Sequence, residues 1–181
     1  MPALYQLKEE GKVRFIGVTG YPLQLLKSLI EVSDLDVSLS YCHYNLLNQQ
    51  LAEVLIPLLK AKDMGIMNAS VTHMGILTDQ GAQAWHPAPE LVKAAGRRAA
   101  AYCREQGLSL AELTTTFALH QPDIHVTVLG VRQRSELRGV LDLLAKPYPA
   151  EAIAKVQAIL TKAHNINWKS GYPENDDEGA L

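Results

Sequence analysis

Cysteine is scarce in this chain. Cys42 and Cys103 are its only two, far apart and in no CxxC spacing, which excludes a zinc ribbon and a disulfide framework. Reduced thiols in a cytoplasmic setting are the expectation. Long apolar runs are also missing, since nothing approaches the roughly 18 residues of a membrane span. The N-terminus, MPALYQLKEEGK, reads as the end of an amphipathic helix rather than as a charged start leading into an apolar signal core. A predominance of one charge is lacking too: 17 Lys+Arg face 19 Asp+Glu, for a net charge of -2. Interspersed charge of that size offers no field for nucleic acid or an anionic membrane. The expected partner is a small molecule or another protein chain.

What is present is a core-forming chain of 181 residues, 48% hydrophobic. That length suits one domain with a substantial interior. It is short for a complete eight-stranded α/β barrel, which takes about 250 residues. The stretch GKVRFIGVTGY reads as a buried strand over 13–18 that delivers Thr19 and Gly20 to a turn. A helical remnant precedes it over 2–10, and Gly11 is placed to end that helix in the left-handed conformation. Pro22 then suits a helix start, with Leu23, Leu25, Leu26, Leu29 and Ile30 forming the buried face.

Three further units follow. DVSLS (36–40) reads as the second strand, and 46–62 as its helix, with Asn48 a candidate N-cap and Pro57 predicting a break near Leu55 and Ile56. GIMNAS (65–70) is the third strand. A long loop, 71–89, leads to a helix over 90–105, and Gly107 ends it. Ser109 and Glu112 carry the spacing of a capping box for the next helix. HVTVLG (125–130) is the fourth strand, and 135–144 and 149–162 are closing helices. The tail, 165–181, is polar and acidic and is expected to be mobile. Alternating strands and short-looped helices imply parallel pairing with right-handed crossovers. A doubly wound sheet satisfies that pattern as well as a barrel does.

The segments LKEEGKVRFIGVTGY, SYCHYNLLN, GIMNASVTHMGILT and HVTVLGVRQRSEL resemble, in order and spacing, the C-terminal half of the aldo-keto reductase family, most of all its sugar dehydrogenases of the L-galactose dehydrogenase type. The resemblance implies an α/β fold of the (β/α)8 TIM-barrel class, with this chain supplying about the last four strand-helix units, residues 1–164 forming the half-barrel. It implies a nicotinamide cofactor, NAD(P), bound at the C-terminal ends of the strands, where barrel active sites sit, and a carbonyl or sugar substrate in the complete parent. In the family, catalysis depends on an Asp, Tyr, Lys and His from the first four strands. No segment here matches those positions, so no catalytic residue is carried over.

The positions that do carry over concern the cofactor. Thr19 and Gly20 match a Ser-Asn pair that holds the nicotinamide carboxamide, with the hydroxyl kept and the amide lost. Tyr41 falls where a Gln makes a further carboxamide contact, and Ala69 where an aromatic residue stacks on the ring. Ser70 and Thr72 match the loop lining the pyrophosphate. Gly130, Arg132 and Glu136 match the loop and helix start that receive the adenosine phosphate, while Gly139 and Val140 replace a Glu-Asn pair near the adenine. Arg132, Arg134 and Arg138 suit a 2'-phosphate and equally suit a solvated helix face, so NAD and NADP are not separated.

The remaining candidates are weaker. Cys42 and His43 are adjacent on a strand and point to opposite faces, which argues against a shared metal ion, and no metal site is expected. Trp85 sits in the long loop, as a ligand cover or as a plug. Cys103 reads as a helix-face residue with no neighbouring base. The reading is a truncated NAD(P)-dependent oxidoreductase, inactive alone. The alternatives are a stand-alone nucleotide-binding or protein-interaction half-barrel without enzyme activity, and an enzyme using other residues; the open sheet edges of a half-barrel lead one to expect self-association or an aggregation-prone monomer.

Overall fold

The computed structural model describes all 181 residues. Four parallel strands form one sheet in the order β1 (Gly17–Gly20), β2 (Val37–Tyr41), β3 (Gly65–Ala69) and β4 (Val126–Val128). Helix α1 (Pro2–Glu9) precedes the sheet, and α2 (Leu23–Val32) joins β1 to β2. A π-turn (Leu51–Leu55) and α3 (Ile56–Ala61) join β2 to β3. Two helices, α4 (Glu90–Glu105) and α5 (Leu110–Leu119), separate β3 from β4, and α6 (Arg134–Ala145) and α7 (Ala150–Leu160) follow.

Strand alternation divides the sheet into two unlike faces. On one, Ile66 packs with Leu26, Ile30, Leu51, Leu55 and Leu59 in a buried core, and its register partner Ser38 is buried too. This is the helix-covered face. On the other, Thr19, Leu39, Met67 and Val126 form one row across the four strands, and Tyr41, Ala69 and Val128 form the row above. Val126 and Val128 are 46% and 41% exposed. A second buried core lies between α4, α5 and α7, with Val92, Ala99, Leu110, Val156 and Leu160 in contact.

Several sequence expectations hold. Gly11 and Gly107 adopt φ +69° and +66°, as left-handed helix terminators do. Ser109 Oγ accepts from Glu112 N at 3.3 Å at the start of α5. The helix after β2 breaks where Pro57 predicts, with a π-turn ending at Leu55 and α-helix resuming at Ile56.

Others are corrected. The first strand begins at Gly17, not Val13. Asp36 pins the chain at Ile16, accepting Ile16 N at 2.8 Å while Asp36 N donates to Ile16 O at 2.9 Å. Residues 13–15 therefore run outside the sheet, and Phe15 is 66% exposed. The fourth strand is shorter than 125–130, and just before it His125 N donates to Ile66 O at 3.0 Å while His125 Nδ1 accepts Ile66 N at 3.1 Å. The helix read over 46–62 is a loop until Leu51. Asn48 caps no helix there; its Oδ1 accepts Gln50 N and its Nδ2 donates to Asn167 Oδ1 at 2.9 Å. That second bond draws in the tail. Within the segment 165–181, Asn167 and Trp168 are buried at 4% exposure each, while Tyr172 and Leu181 are exposed.

A glycine fixes the seat of α4. A Cβ on Gly96 would lie 2.5 Å from Ile76 Cγ2 and 2.7 Å from Ile76 O, the latter being backbone that cannot swing away. Gly96→Ala is expected to force α4 off the loop after β3 and lower stability by about 1–3 kcal/mol, the usual cost of overpacking. Urea unfolding followed by far-UV circular dichroism measures it; an unchanged midpoint would refute this seating.

Candidate functional site

The C-terminal ends of the strands gather most of the sequence-predicted residues. Tyr41 and Ala69 are register partners, so they stand side by side on the uncovered face, with Thr19 one row below. Gly20 is a partner of Ser40 and faces the other way, its Cβ position 3.3 Å from Leu26 Cδ2. Ser70 follows in the left-handed conformation, φ +57°, beside Cys42 at φ +68°, whose N–H donates to Ala69 O at 3.0 Å. Non-glycine residues hold such angles only where surrounding bonds enforce them. Thr72 shapes the loop, its carbonyl accepting from Gly75 N and Leu77 N at 3.1 and 2.9 Å.

At the other end of the sheet, Gly130 is open, with nothing near a Cβ built there. The start of α6 is already occupied by a carboxylate: Glu136 Oε2 accepts Arg132 N at 2.6 Å and Gln133 N at 3.3 Å. Those bonds hold the Glu136 carboxyl below the usual carboxylate range. Arg132 lies 3.8 Å from Glu136 Oε1. A phosphate at this helix start would compete with the chain's own anion. Thr19, Tyr41, Ala69 and Ser70 thus lie near one another at the strand ends, whereas the start of α6 is taken by Glu136.

Sequence reasoning missed a buried aromatic and polar clasp between the strand ends and the tail. Trp168 stacks on Tyr21 at 4.5 Å between centroids, and Tyr21 packs in turn on His43 at 4.7 Å and Tyr41 at 5.5 Å. His73 and His86 meet Trp168 edge-on. Asn167 donates to Gln50 Oε1 and to Asp177 Oδ2, and Asp177 Oδ1 accepts Gln24 N at the start of α2. His43 Nε2 lies 4.0 Å from the same carboxylate. The available signal was NINW, a tryptophan with two asparagines inside an otherwise acidic tail.

Burial governs the chemistry of this clasp. It pushes the His43 and His73 imidazoles down to about 3, raises the Asp177 carboxyl against the pull of the α2 amides, and pushes the Cys42 thiol up to about 12, with the Ser70 hydroxyl opposing slightly. The Tyr41 phenol is also raised, first by burial and then by Cys42. Cys42 and Cys103 are both free and buried, and no three His, Cys, Asp or Glu side chains converge as metal ligands would. Trp85 stays exposed, stacked on His86 at 5.9 Å. A concavity of about 630 Å³ lies between α1 and the end of α2, lined by Tyr5, Lys8 and Val32, away from the strand ends.

The sequence profile of the Aldo/keto reductase family matches residues 1–161. The chain belongs to the aldo/keto reductase family. It is 36% identical over 182 residues to L-galactose dehydrogenase of Arabidopsis thaliana, an alignment covering 97% of this chain and 57% of that protein. With D-arabinose 1-dehydrogenase of Saccharomyces cerevisiae it shares 32% identity, covering 94% of this chain and 57% of the relative. The chain therefore spans little more than half the length of these curated relatives. Among solved structures, a glycerol dehydrogenase from Gluconobacter oxydans superposes with a TM-score of 0.61 at 18% identity, over 93% of this chain and 55% of that one. The holo aldo-keto reductase of Bacillus halodurans gives 0.61 at 17%, over 96% and 57%. At such identity these matches bear on fold: the four parallel strands correspond to part of a (β/α)8 barrel.

Three depressed imidazoles, His43, His73 and, in the same direction, His86, make stability depend on pH. Unfolded histidine protonates near 6.5, whereas the native His43 and His73 rings stay neutral down to about 3. Stability is therefore full above 6.5 and is lost as pH falls below it, by about 1.4 kcal/mol per pH unit for each of these two. Asp177 acts in the opposite sense, because a raised native carboxyl gains stability on protonation. Urea midpoints measured between about pH 7.5 and about pH 5 should fall steeply, and His73→Asn should make the slope shallower by roughly a third to a half. A flat profile would refute the burial of these rings.

Proposed function

We propose that this chain is the cofactor-side half of an NAD(P)-dependent aldo/keto reductase oxidoreductase that acts on a sugar or related carbonyl, and that alone it binds the cofactor weakly without turning over. The observation that supports the reading is that Thr19, Tyr41 and Ala69 stand on the uncovered face near the strand ends, Thr19 one row below the Tyr41–Ala69 pair, with Ser70 directly following Ala69. The relatives named as L-galactose and D-arabinose dehydrogenases support a sugar substrate. Free buried cysteines suit a reducing, cytoplasmic compartment, and no helix is long and apolar enough to cross a membrane.

When bound, the nicotinamide supplies the hydride chemistry; the chain's residues supply position. Thr19 offers a hydroxyl to the carboxamide. Tyr41 offers an aromatic wall next to Ala69, where the small side chain leaves room. Ser70 and Thr72 border the phosphates, and Gly130 permits close approach at the far strand. Arg132 supplies positive charge once Glu136 releases it.

Proton transfer is what these residues do not provide. A tyrosine acting as acid or base near neutrality needs its pKa brought down toward the working pH. Tyr41 moves the other way, and the nearby imidazoles of His43 and His73 are sealed inside the clasp. The uncovered sheet face favours a second reading, a half-barrel whose role is to bind another protein chain.

Calorimetric titration with NADH and with NADPH tests the first reading. Binding at submillimolar to millimolar affinity is expected, weakened several-fold by Arg132→Ala and strengthened by Glu136→Ala, which frees the α6 amides. No binding, or affinity indifferent to both substitutions, would remove the cofactor role. Turnover of aldoses with either nucleotide is expected to be undetectable, since acid-base catalysis worth about 10²- to 10⁴-fold is missing. Robust activity would overturn the claim of inactivity.

A further inference from the structure

We infer that Trp168 is a positioning residue for the nicotinamide end of the cofactor site: standing behind Tyr21, it fixes the ring of Tyr41 in one pose. The inference rests on the cofactor reading above and extends it to a tail residue that acts through two intervening rings.

Tyr21 joins two of the positions on which that reading depends. It follows directly on Thr19 and Gly20 at the end of β1, and its ring packs on Tyr41, the last residue of β2, at 5.5 Å between centroids and 44° between planes. Tyr21 is 3% exposed and Tyr41 half-buried, so Tyr21 is the inner wall and Tyr41 the layer in front of it. The main chain of Tyr41 is set by its pairing with Ala69 and by the Cys42 N–H donating to Ala69 O. Its side chain is not set by that pairing, because a tyrosine on a strand has more than one staggered well open to it. The wall supplied by Tyr21 removes the choice, provided the wall stays still.

Trp168 keeps it still. Its indole stacks on the Tyr21 ring at 4.5 Å and 20°, while its backbone N–H donates to the Tyr21 hydroxyl oxygen at 3.3 Å. Face and tip of one side chain are thus fixed by a single residue. Trp168 is itself gripped, since His73 and His86 meet its ring edge-on at 5.3 and 5.2 Å. The chain to either side is tied down separately. Asn165 N donates to Leu47 O and Asn165 Oδ1 accepts Gln49 N, while Asn167 donates to Gln50 and Asp177, and Asp177 accepts Gln24 N. The indole cannot drift without unmaking bonds on both sides of it.

Burying a tail requires only apolar volume, which a large aliphatic side chain supplies. A series of packed rings, Trp168, Tyr21 and Tyr41, supplies orientation as well, because stacked and tilted contacts restrict the planes of their members. Orientation is what a bound nicotinamide meets at Tyr41. Without the brace, the Tyr41 ring must be ordered at the moment of binding, and immobilising one such side chain weakens affinity by about 2- to 10-fold.

Calorimetric titration of the full chain with NADH and with ADP-ribose, which lacks the nicotinamide, tests this. Trp168→Leu keeps an apolar side chain and the backbone donor but removes the flat face. Its NADH dissociation constant should rise about 2- to 10-fold, its ADP-ribose constant should stay that of the unsubstituted chain, and Trp168→Phe should restore most of the lost NADH affinity. Far-UV circular dichroism and urea midpoints report whether each variant is folded. Where Trp168→Leu fails to fold, Trp168→Met makes the same comparison, since its flexible side chain fills an irregular space without presenting a plane. In a Tyr41→Ala background the same substitution should lower the urea midpoint yet change NADH affinity no further, the signature of an effect carried through Tyr41. Absence of NADH binding by the unsubstituted chain removes the cofactor reading and this inference with it. NADH binding indifferent to the loss of the indole, an equal loss for NADH and ADP-ribose, or a loss that persists in full without the Tyr41 ring overturns the inference alone and leaves the cofactor reading standing.

Discussion

The parallel pairing of four strands, covered by helices on one face alone, is the constraint from which the rest of this structure follows. Parallel strands need crossovers long enough to return the chain to the same end, and here each crossover is helical and lies on the side of Ile66 and Ser38. Burying Leu26, Ile30, Leu55 and Leu59 there contributes about 1.5–3 kcal/mol each. The other face, bearing Val37, Leu39, Met67, Val126 and Val128, has no helical cover. Stability and incompleteness thus have one origin, because the right-handed crossovers that build the core all turn to the same side.

Parallel polarity also brings every strand C-terminus to one end, so the turns that leave the sheet are neighbours. Two of them depart through left-handed non-glycine residues, Cys42 and Ser70. The clasp holds these turns down. Trp168 covers Tyr21, Asn167 bridges Gln50 to Asp177, and Asp177 answers the free amides at the start of α2. An acid at a helix N-terminus is favourable, yet this one is buried enough for its pKa to rise. The local field and desolvation pull against one another there, and desolvation prevails. The result is a rigid back wall behind Tyr41, set by residues more than a hundred positions further along the chain.

Much of the barrel half was legible in sequence because its signals are local. Gly11, Pro57, Gly107 and the Ser109–Glu112 pair each act within a turn of themselves, and the structure places their effects where the sequence does. The Gly17 start of β1 was not legible, because the side chain that fixes it, Asp36, belongs to the next strand. Asn48 read as a helix cap because its real partner, Asn167, is 119 residues away. The clasp was not legible for a related reason: the tail's composition is that of a solvated segment, and its contacts with the strand ends rest on a few side chains, Asn167, Trp168 and Asp177, whose partners lie far back in the chain. Thr19, Tyr41, Ala69 and Ser70 were legible through family resemblance, whereas the carboxylate of Glu136 across the α6 amides emerges only from geometry.

The division of labour around the strand ends has a physical logic. Binding a dinucleotide requires hydroxyls, amides and positive charge spread along an arc, and adjacent parallel strands supply such an arc from one side of a barrel. Coupling hydride movement to a proton requires a group whose pKa is moved toward neutrality by a cation or a second titratable partner. On this side of the sheet every perturbation runs the other way: Tyr41 and Cys42 are raised, and His43 and His73 are lowered. Desolvation without a compensating charge drives each of them toward its neutral, inert form. Such surroundings hold side chains in fixed, uncharged positions rather than preparing them to exchange protons near neutrality.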